Sequence, residues 1–135
     1  MKKVMVTGSF ELLHPGHLSL FNQAKALGDY LVVVIARDST IRQARGREPY
    51  LGEGDRLELV SSLKTVDFAR LGNAGNRHDV LKEEKPDVVL LGYDQEVNEA
   101  MLKKDCEEIG AKLLRAKPFK EKEFKSSIIA KKIGV

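Results

Sequence analysis

Residues 4–17 read Val-Met-Val-Thr-Gly-Ser-Phe-Glu-Leu-Leu-His-Pro-Gly-His. The short apolar run Val4–Thr7 has the look of a buried strand, and Gly8 and Ser9 mark its end. Pro15 suits the first turn of a helix, where an N–H is not needed. Gly16 lets a phosphate or the backbone approach closely. The spacing of His14 and His17 puts both imidazoles on one helix face. The start of a helix favours anions through its N–H groups and its dipole. A strand, a turn and a helix with two imidazoles at the junction thus form a ready site for a nucleotide's phosphates. The chain has 3 histidines in all, and His78 stands far from this pair. With one distant cysteine, Cys106, there is no zinc-like ligand set to compete with that reading.

Further along, four more apolar runs recur at intervals that leave room for helices. They are Leu31–Ala36, Val66–Leu71, Val88–Leu91 and Leu113–Ala116. Several are continuous and β-branched, as strands buried on both faces of a parallel sheet are. Between them, Leu18, Phe21, Ala24 and Leu27 share one helix face and stop at Gly28. Leu57, Leu59, Val60 and Leu63 form a second stripe. Val80–Lys85 ends at Pro86, Asn98–Ile109 closes at Gly110, and Ser126–Ile133 is a final helix. The alternation predicts an α/β fold: a Rossmann-like, doubly wound, five-stranded parallel sheet with helices on both faces. Ligands of such sheets sit beyond the carboxyl ends of the strands. The polar clusters Thr7–His17, Arg37–Arg47 and Gly92–Gln95 fall there and should converge on one crevice.

Composition sets the outer bounds. A chain of 135 residues is most simply one domain, residues 1–135, and can bury a core without disulfides or metals. Hydrophobic residues at 42% and charged residues at 32% fit a globular protein, not a disordered one. Cys106, among charges in a helical stretch, reads as an unpaired thiol on or near the surface. The N-terminus lacks the apolar length of a signal peptide, and no run spans a membrane, so a cytoplasmic protein is expected. The net charge of +3 is mild, and the basic lean of Lys117–Lys132 suits a solvated helix face or an anionic small molecule. Nucleic-acid binding would call for aromatics interleaved with a basic stripe, and the aromatics, at 6%, are scattered.

Gly8-Ser9-Phe10-Glu11 with His14-Pro15-Gly16-His17 resembles the (T/S)-F-(D/E) and H-x-G-H signature of the nucleotidyltransferase superfamily. That family includes cytidylyltransferases, adenylyltransferases and class I tRNA synthetases, and the resemblance extends over essentially the whole chain. It implies transfer of a nucleoside monophosphate from an NTP to a phosphate acceptor, with release of pyrophosphate. It implies no covalent intermediate; catalysis is positioning and electrostatics, with Mg²⁺ or another divalent ion bridging phosphate oxygens. His14 and His17 would contact the triphosphate, with Thr7, Gly8, Ser9, Phe10 and Gly16 around the nucleotide. Glu11 stands where the family often has Asp and is a candidate to assist the metal or a substrate hydroxyl.

The resemblance assigns the remaining clusters as well. Arg45 and Arg47 match basic residues that contact acceptor or NTP phosphates, and Arg47 counts with the catalytic pair. Arg56 matches an arginine that reaches the active site. Asp94 would bind ribose hydroxyls or the base amine, with Gly92 packed against the base; the plainer reading of Asp94 is a helix N-cap. Phe124-Lys125-Ser126-Ser127 resembles the segment that holds the β- and γ-phosphates. Lys120 stands where the family often has arginine, and Lys120 and Lys125 are candidate phosphate contacts.

Three compact subfamilies compete. Glycerol-3-phosphate cytidylyltransferases usually follow the fourth strand with Gly-Asp-Asp-Trp, whereas this chain has Gly92-Tyr93-Asp94-Gln95 and no tryptophan. Archaeal-type FAD synthetases are more similar, through Arg37-Asp38-Ser39, Gly46-Arg47-Glu48-Pro49, Leu63-Lys64-Thr65-Val66-Asp67 and Leu91-Gly92-Tyr93-Asp94-Gln95. They commonly carry cysteines near the late serine motif, and here Cys106 lies earlier. A heptose- or sugar-phosphate adenylyltransferase of the lipopolysaccharide-core kind is the third. The expectation is AMP transfer from ATP to FMN, with Tyr50, Tyr93, Phe119 and Phe124 as candidate walls for the flavin. A homodimer through the segment Asp55–Leu63 or the helix after the second strand is expected from the family's habit. A nucleotide-binding module without chemistry is the alternative of another class.

Overall fold

Five strands lie parallel in one sheet, in the order β3-β2-β1-β4-β5. They are β1 (Lys3–Gly8), β2 (Tyr30–Ile35), β3 (Phe68–Leu71), β4 (Val88–Leu91) and β5 (Lys112–Arg115). The helices between them are α1 (Pro15–Leu27), α2 (Asp38–Arg45), α3 (Glu53–Ser61), α4 (Arg77–Glu84) and α5 (Glu99–Ile109). This computed structural model describes residues 1–74, 77–119 and 131, without the side chains of Arg77 and His78. The expected helix Ser126–Ile133 and the candidates Phe124, Lys120, Lys125, Ser126 and Ser127 lie outside the described residues. No helix among those described is long and apolar enough to cross a membrane.

The order of the strands follows from their chemistry. β1 and β4 are apolar through most of their length and stand inside the sheet; β3 and β5, with mixed residues, form its edges. Side chains alternate across the sheet, so Val4 and Val6 enter one core while Met5 enters the other. The first core takes Leu20, Phe21 and Ala24 of α1 and Val60 of α3. The second takes Val80 and Leu81 of α4 with Leu102 and Cys106 of α5. Each fully buried side chain of this kind contributes about 1.5–3 kcal/mol by leaving water. Strand order reverses at β1, so a switch-point crevice opens at the carboxyl ends of β1 and β4.

Four expectations need correction. The second crossover holds two helices: α2, with Ile41 as its one buried residue, was too polar to announce itself. The inward stripe of α1 is rotated, and Leu18 is exposed while Leu20 is buried. Gly28 ends α1 with extended backbone, so left-handed freedom is not its role. A Cβ there would come within 2.7 Å of the Lys2 carbonyl and 2.8 Å of Val4 Cγ2, and glycine is needed for space. Cys106 is buried, because Leu102 and Cys106 share the inward face of α5.

Candidate active site

The loop from β1 to α1 is built around Phe10. Its φ of 50° is left-handed, an uncommon conformation for a bulky residue. The turn tucks the ring under Gly8, where a Cβ would meet Phe10 Cζ at 2.8 Å. The same ring meets His17 edge-on at 5.2 Å and Phe21 at 5.4 Å. Gly8 is thus small because Phe10 lies beneath it, and Phe10 in turn supports the imidazole.

His14 is the N-cap of α1, and its Nδ1 accepts from the Gly16 N–H at 3.1 Å. His17 reaches back so that its Nδ1 accepts from the His14 N–H at 3.3 Å, closing a capping box. The rings stack at 3.9 Å. Both Nδ1 atoms act as acceptors, so the neutral rings carry their proton on Nε2. Burial holds His17 down to about 3, with His14 adding to the effect. Burial also lowers His14, against a raising influence from Asp94. The start of α1 therefore offers two neutral N–H donors beside its own backbone N–H groups.

A cleft of about 930 Å³ runs along the carboxyl ends of the strands. It gathers Thr7, Gly8, Ser9, Phe10, Gly16 and both histidines from the first unit, and Gly92 and Asp94 from the loop after β4. Arg45 and Arg47 face them from the end of α2. Gly46 between them has φ 67° and ends the helix, which turns both guanidiniums to the same side. Arg42 pairs instead with Glu48 at 2.7 Å.

Glu11 joins this wall differently from expectation. It is buried and accepts from Arg45, from Arg47 at 2.8 and 3.2 Å, and from the Tyr50 N–H at 3.3 Å. A buried carboxylate demands such pairing, and here the two guanidiniums supply it. Among the described residues no cluster of His, Cys, Asp or Glu forms a metal site. A guanidinium has five N–H donors, more than these contacts use, so both arginines can still present N–H groups to an anion. Arg47 also lies over the Tyr50 ring at 4.2 Å.

Arg56 is likewise placed differently. Its side chain is completely buried and does not line the cleft. It donates to the carbonyls of Leu51 at 2.9 Å, Ser9 at 2.8 Å and Ala36 at 2.6 Å, and to Asp38 Oδ1 at 2.7 Å. It ties the loops after β1 and β2 to α2 and α3, so contact with a substrate is closed to it. Asp94 is not an N-cap: α5 is capped by Asn98, whose Oδ1 accepts from Met101 N–H at 3.2 Å.

Some positioning residues escaped the sequence. Gln95 donates to Thr7 O at 3.1 Å and accepts from Gly92 N–H at 3.0 Å, stitching the ends of β1 and β4 together. Arg115 of β5 donates to the carbonyls of Gly92 at 2.8 Å, Tyr93 at 3.2 Å and Gln95 at 3.1 Å, and pairs with Glu99. Gln23 accepts from the Lys117 N–H at 2.8 Å and donates to the Lys117 carbonyl at 3.1 Å. Most of their partners are distant in sequence, and no local pattern announced the contacts.

Comparison with known proteins agrees with this fold. Residues 5–132 match the family described as cytidylyltransferase-like. FAD synthase of Thermoplasma acidophilum is 43% identical over 98% of this chain and 94% of that protein. FAD synthase of Methanolacinia petrolearia is 41% identical over 94% of this chain and 86% of its own length. The crystal structure of a lipopolysaccharide core biosynthesis protein from Thermoplasma volcanium superposes with a TM-score of 0.82 at 45% identity, covering 88% of this chain and 98% of that one. Pantoate-beta-alanine ligase from Francisella tularensis, 16% identical with a TM-score of 0.58 over 95% of this chain and 67% of that one, shares the fold. The chain belongs to the cytidylyltransferase-like family and is a nucleotidyltransferase.

Proposed function

We propose that the chain is an FAD synthase, moving AMP from ATP to FMN and releasing pyrophosphate. The chemistry is carried by one observation: two stacked imidazoles at the N-terminus of α1, each with Nδ1 taken up by a backbone N–H, which leaves Nε2 as the donor. Such donors favour the charge that builds on the reacting phosphoryl oxygens and cost no reorganisation. A neutral imidazole also gives up no proton to a phosphate at neutral pH. The FMN phosphate oxygen attacks the α-phosphorus of ATP, the bond to the bridging oxygen breaks, and pyrophosphate leaves with the electron pair. Arg45 and Arg47 bind the acceptor phosphate opposite the histidines and hold it in line. Thr7, Gly8 and Ser9 lie along the nucleotide, and Asp94 meets its ribose or base. A divalent ion entering with ATP would offset the charge of the triphosphate.

FMN as the acceptor rests on the likeness to FAD synthases over nearly the full chain. A second reading, a sugar phosphate as acceptor, draws on the similar structure of the lipopolysaccharide core biosynthesis protein. Pyrophosphate release with Mg²⁺, crossing ATP and CTP against FMN, glycerol 3-phosphate and heptose 1-phosphate, separates them. FAD, detected by fluorescence and formed only from ATP plus FMN, is the expected result. Release with a different pair would keep the mechanism and replace the acceptor. No release from any pair would remove the catalytic reading.

A further inference from the structure

In the loop after β4, the Gln95 side chain folds back over the end of its own strand and reaches β1. Its Oε1 accepts from the Gly92 N–H at 3.0 Å. Its Nε2 donates to the Thr7 carbonyl at 3.1 Å and to Thr7 Oγ1 at 3.2 Å. The Gln95 backbone N–H returns to the Gly92 carbonyl at 3.2 Å, which closes the turn. A backbone N–H can only donate, and a carbonyl can only accept. The amide is therefore held in one sense by two groups whose polarity cannot change. Turned over, it would set its NH₂ group against the Gly92 N–H and its oxygen against the Thr7 carbonyl, and both backbone bonds would be lost.

The fixed amide in turn orients the Thr7 hydroxyl. A hydroxyl has one hydrogen and two lone pairs, and it rotates to suit its neighbours. A lone pair of Oγ1 takes the Gln95 N–H, so the hydrogen points elsewhere. Among the described residues no atom accepts it. Thr7 lines the cleft near the carboxyl end of β1, the strand at which the order of the sheet reverses. Its hydrogen is thus left for an oxygen of a bound ligand. A donor held this way suits a group that only accepts, and an anionic phosphate oxygen is such a group. Gly92 and Gln95 stand on the β4 side of β1, whereas α2, with Arg45, follows β2 on the other side. The phosphates within reach are therefore those of the nucleotide.

We propose that Gln95 is a positioning residue that makes Thr7 a one-way donor to a phosphate oxygen of ATP, resting on the reading of the chain as a transferase that uses ATP. The orienting amide is itself locked by the main chain of Gly92 and Thr7, so the donor is set before the nucleotide arrives and needs no reorganisation. Gln95→Glu keeps the acceptor for the Gly92 N–H but has no N–H to give Thr7. The hydroxyl then gives its hydrogen to the carboxylate and turns a lone pair to the phosphate, which reverses the relay. Thr7→Val removes the hydroxyl and keeps the β-branched shape that suits a strand. Thr7→Ser keeps the hydroxyl.

The experiment titrates the wild type and each variant with ATP and with adenosine by calorimetry, and follows FAD formation. Thr7→Val should weaken ATP roughly tenfold, as loss of a hydrogen bond to a charged group does. Adenosine affinity and the Michaelis constant for FMN should stay within about twofold. Thr7→Ser should recover most of the loss. Gln95→Glu should weaken ATP at least as much as Thr7→Val, and the double variant should be little worse than Gln95→Glu alone, because both changes remove one donor. If thermal melting shows Gln95→Glu to be unfolded, Gln95→Leu, which leaves the hydroxyl unoriented, takes its place in the same cycle. Unchanged ATP affinity in Thr7→Val, an equal loss for adenosine, or losses that multiply in the double variant would overturn the relay and leave Gln95 a structural tie. A wild type that binds ATP but makes no FAD from FMN would overturn the acceptor and not this assignment. A wild type that binds no ATP would overturn the reading beneath both.

Discussion

At the scale of single residues, the two histidines do two jobs that can be separated. Each uses Nδ1 to cap α1 and carries its proton on Nε2. Asparagine places an oxygen where Nδ1 stands and nothing where Nε2 stands, and it is itself a favoured N-cap. His14→Asn and His17→Asn should therefore melt near the wild type yet lose about 10²–10³ in turnover, the usual cost of a lost transition-state donor. Near-normal turnover in both variants would remove the pair from the mechanism. The lowered His17 also makes a stability prediction. Its folded value of about 3 lies below the ordinary 6.5, so the unfolded chain binds more protons between the two. Stability is then full above about pH 6.5 and falls as pH drops toward 3. His17→Asn cannot ionise and should flatten the melting temperature between pH 7 and pH 5; an unaltered slope would show that His17 is not the group responsible. Arg56 is the opposite case, a charge used for structure. Arg56→Met strands the carbonyls of Ser9, Ala36 and Leu51 and the Asp38 carboxylate. Urea unfolding should show a loss of about 3–5 kcal/mol, and a loss below about 1 kcal/mol would show that the tie is dispensable. An arginine near a helix start carries no local mark of burial, which is why its sequence was read as an arginine reaching the active site.

At the scale of elements, what could be read depended on how much apolar surface each one turns inward. β1, β2 and β4 are continuous aliphatic runs, and their predicted and observed positions agree within a residue or so at each end. α2 buries only Ile41, so its charged turns gave no apolar stripe from which to set its bounds. The helix Asn98–Ile109 was legible, yet the charges around Cys106 drew the reading of that residue to the surface. Long-range clamps leave no periodic trace at all. Arg115 illustrates the cost: from β5 it holds three carbonyls of the β4–α5 loop that carries Asp94. Arg115→Gln should raise the Michaelis constant for ATP several-fold, with the constant for FMN and the melting temperature little changed, and Arg115→Lys should recover part of the loss. Equal effects on both substrates would assign Arg115 to general stability instead.

At the scale of the whole molecule, the parallel sheet explains why a strand-turn-helix motif at one end of the chain predicts an architecture. In a parallel sheet every strand ends on the same side, so groups from distant segments arrive at one crevice without a local signal that they will meet. The halves flanking β1 then give a test of the molecule as one device. ATP should slow backbone hydrogen exchange chiefly in the loops after β1 and β4, and FMN chiefly at the end of α2, where Arg45 and Arg47 stand. Protection of the same segments by both ligands would show that the halves are not separate.

Cys106 gives the molecule a built-in clock. It is the chain's single cysteine, it lies buried beneath α5, and burial pushes its thiol above the ordinary range. A thiol reagent can mark it only when α5 lifts from the sheet or the chain unfolds, so the labelling rate of the unaltered protein counts those openings one molecule at a time.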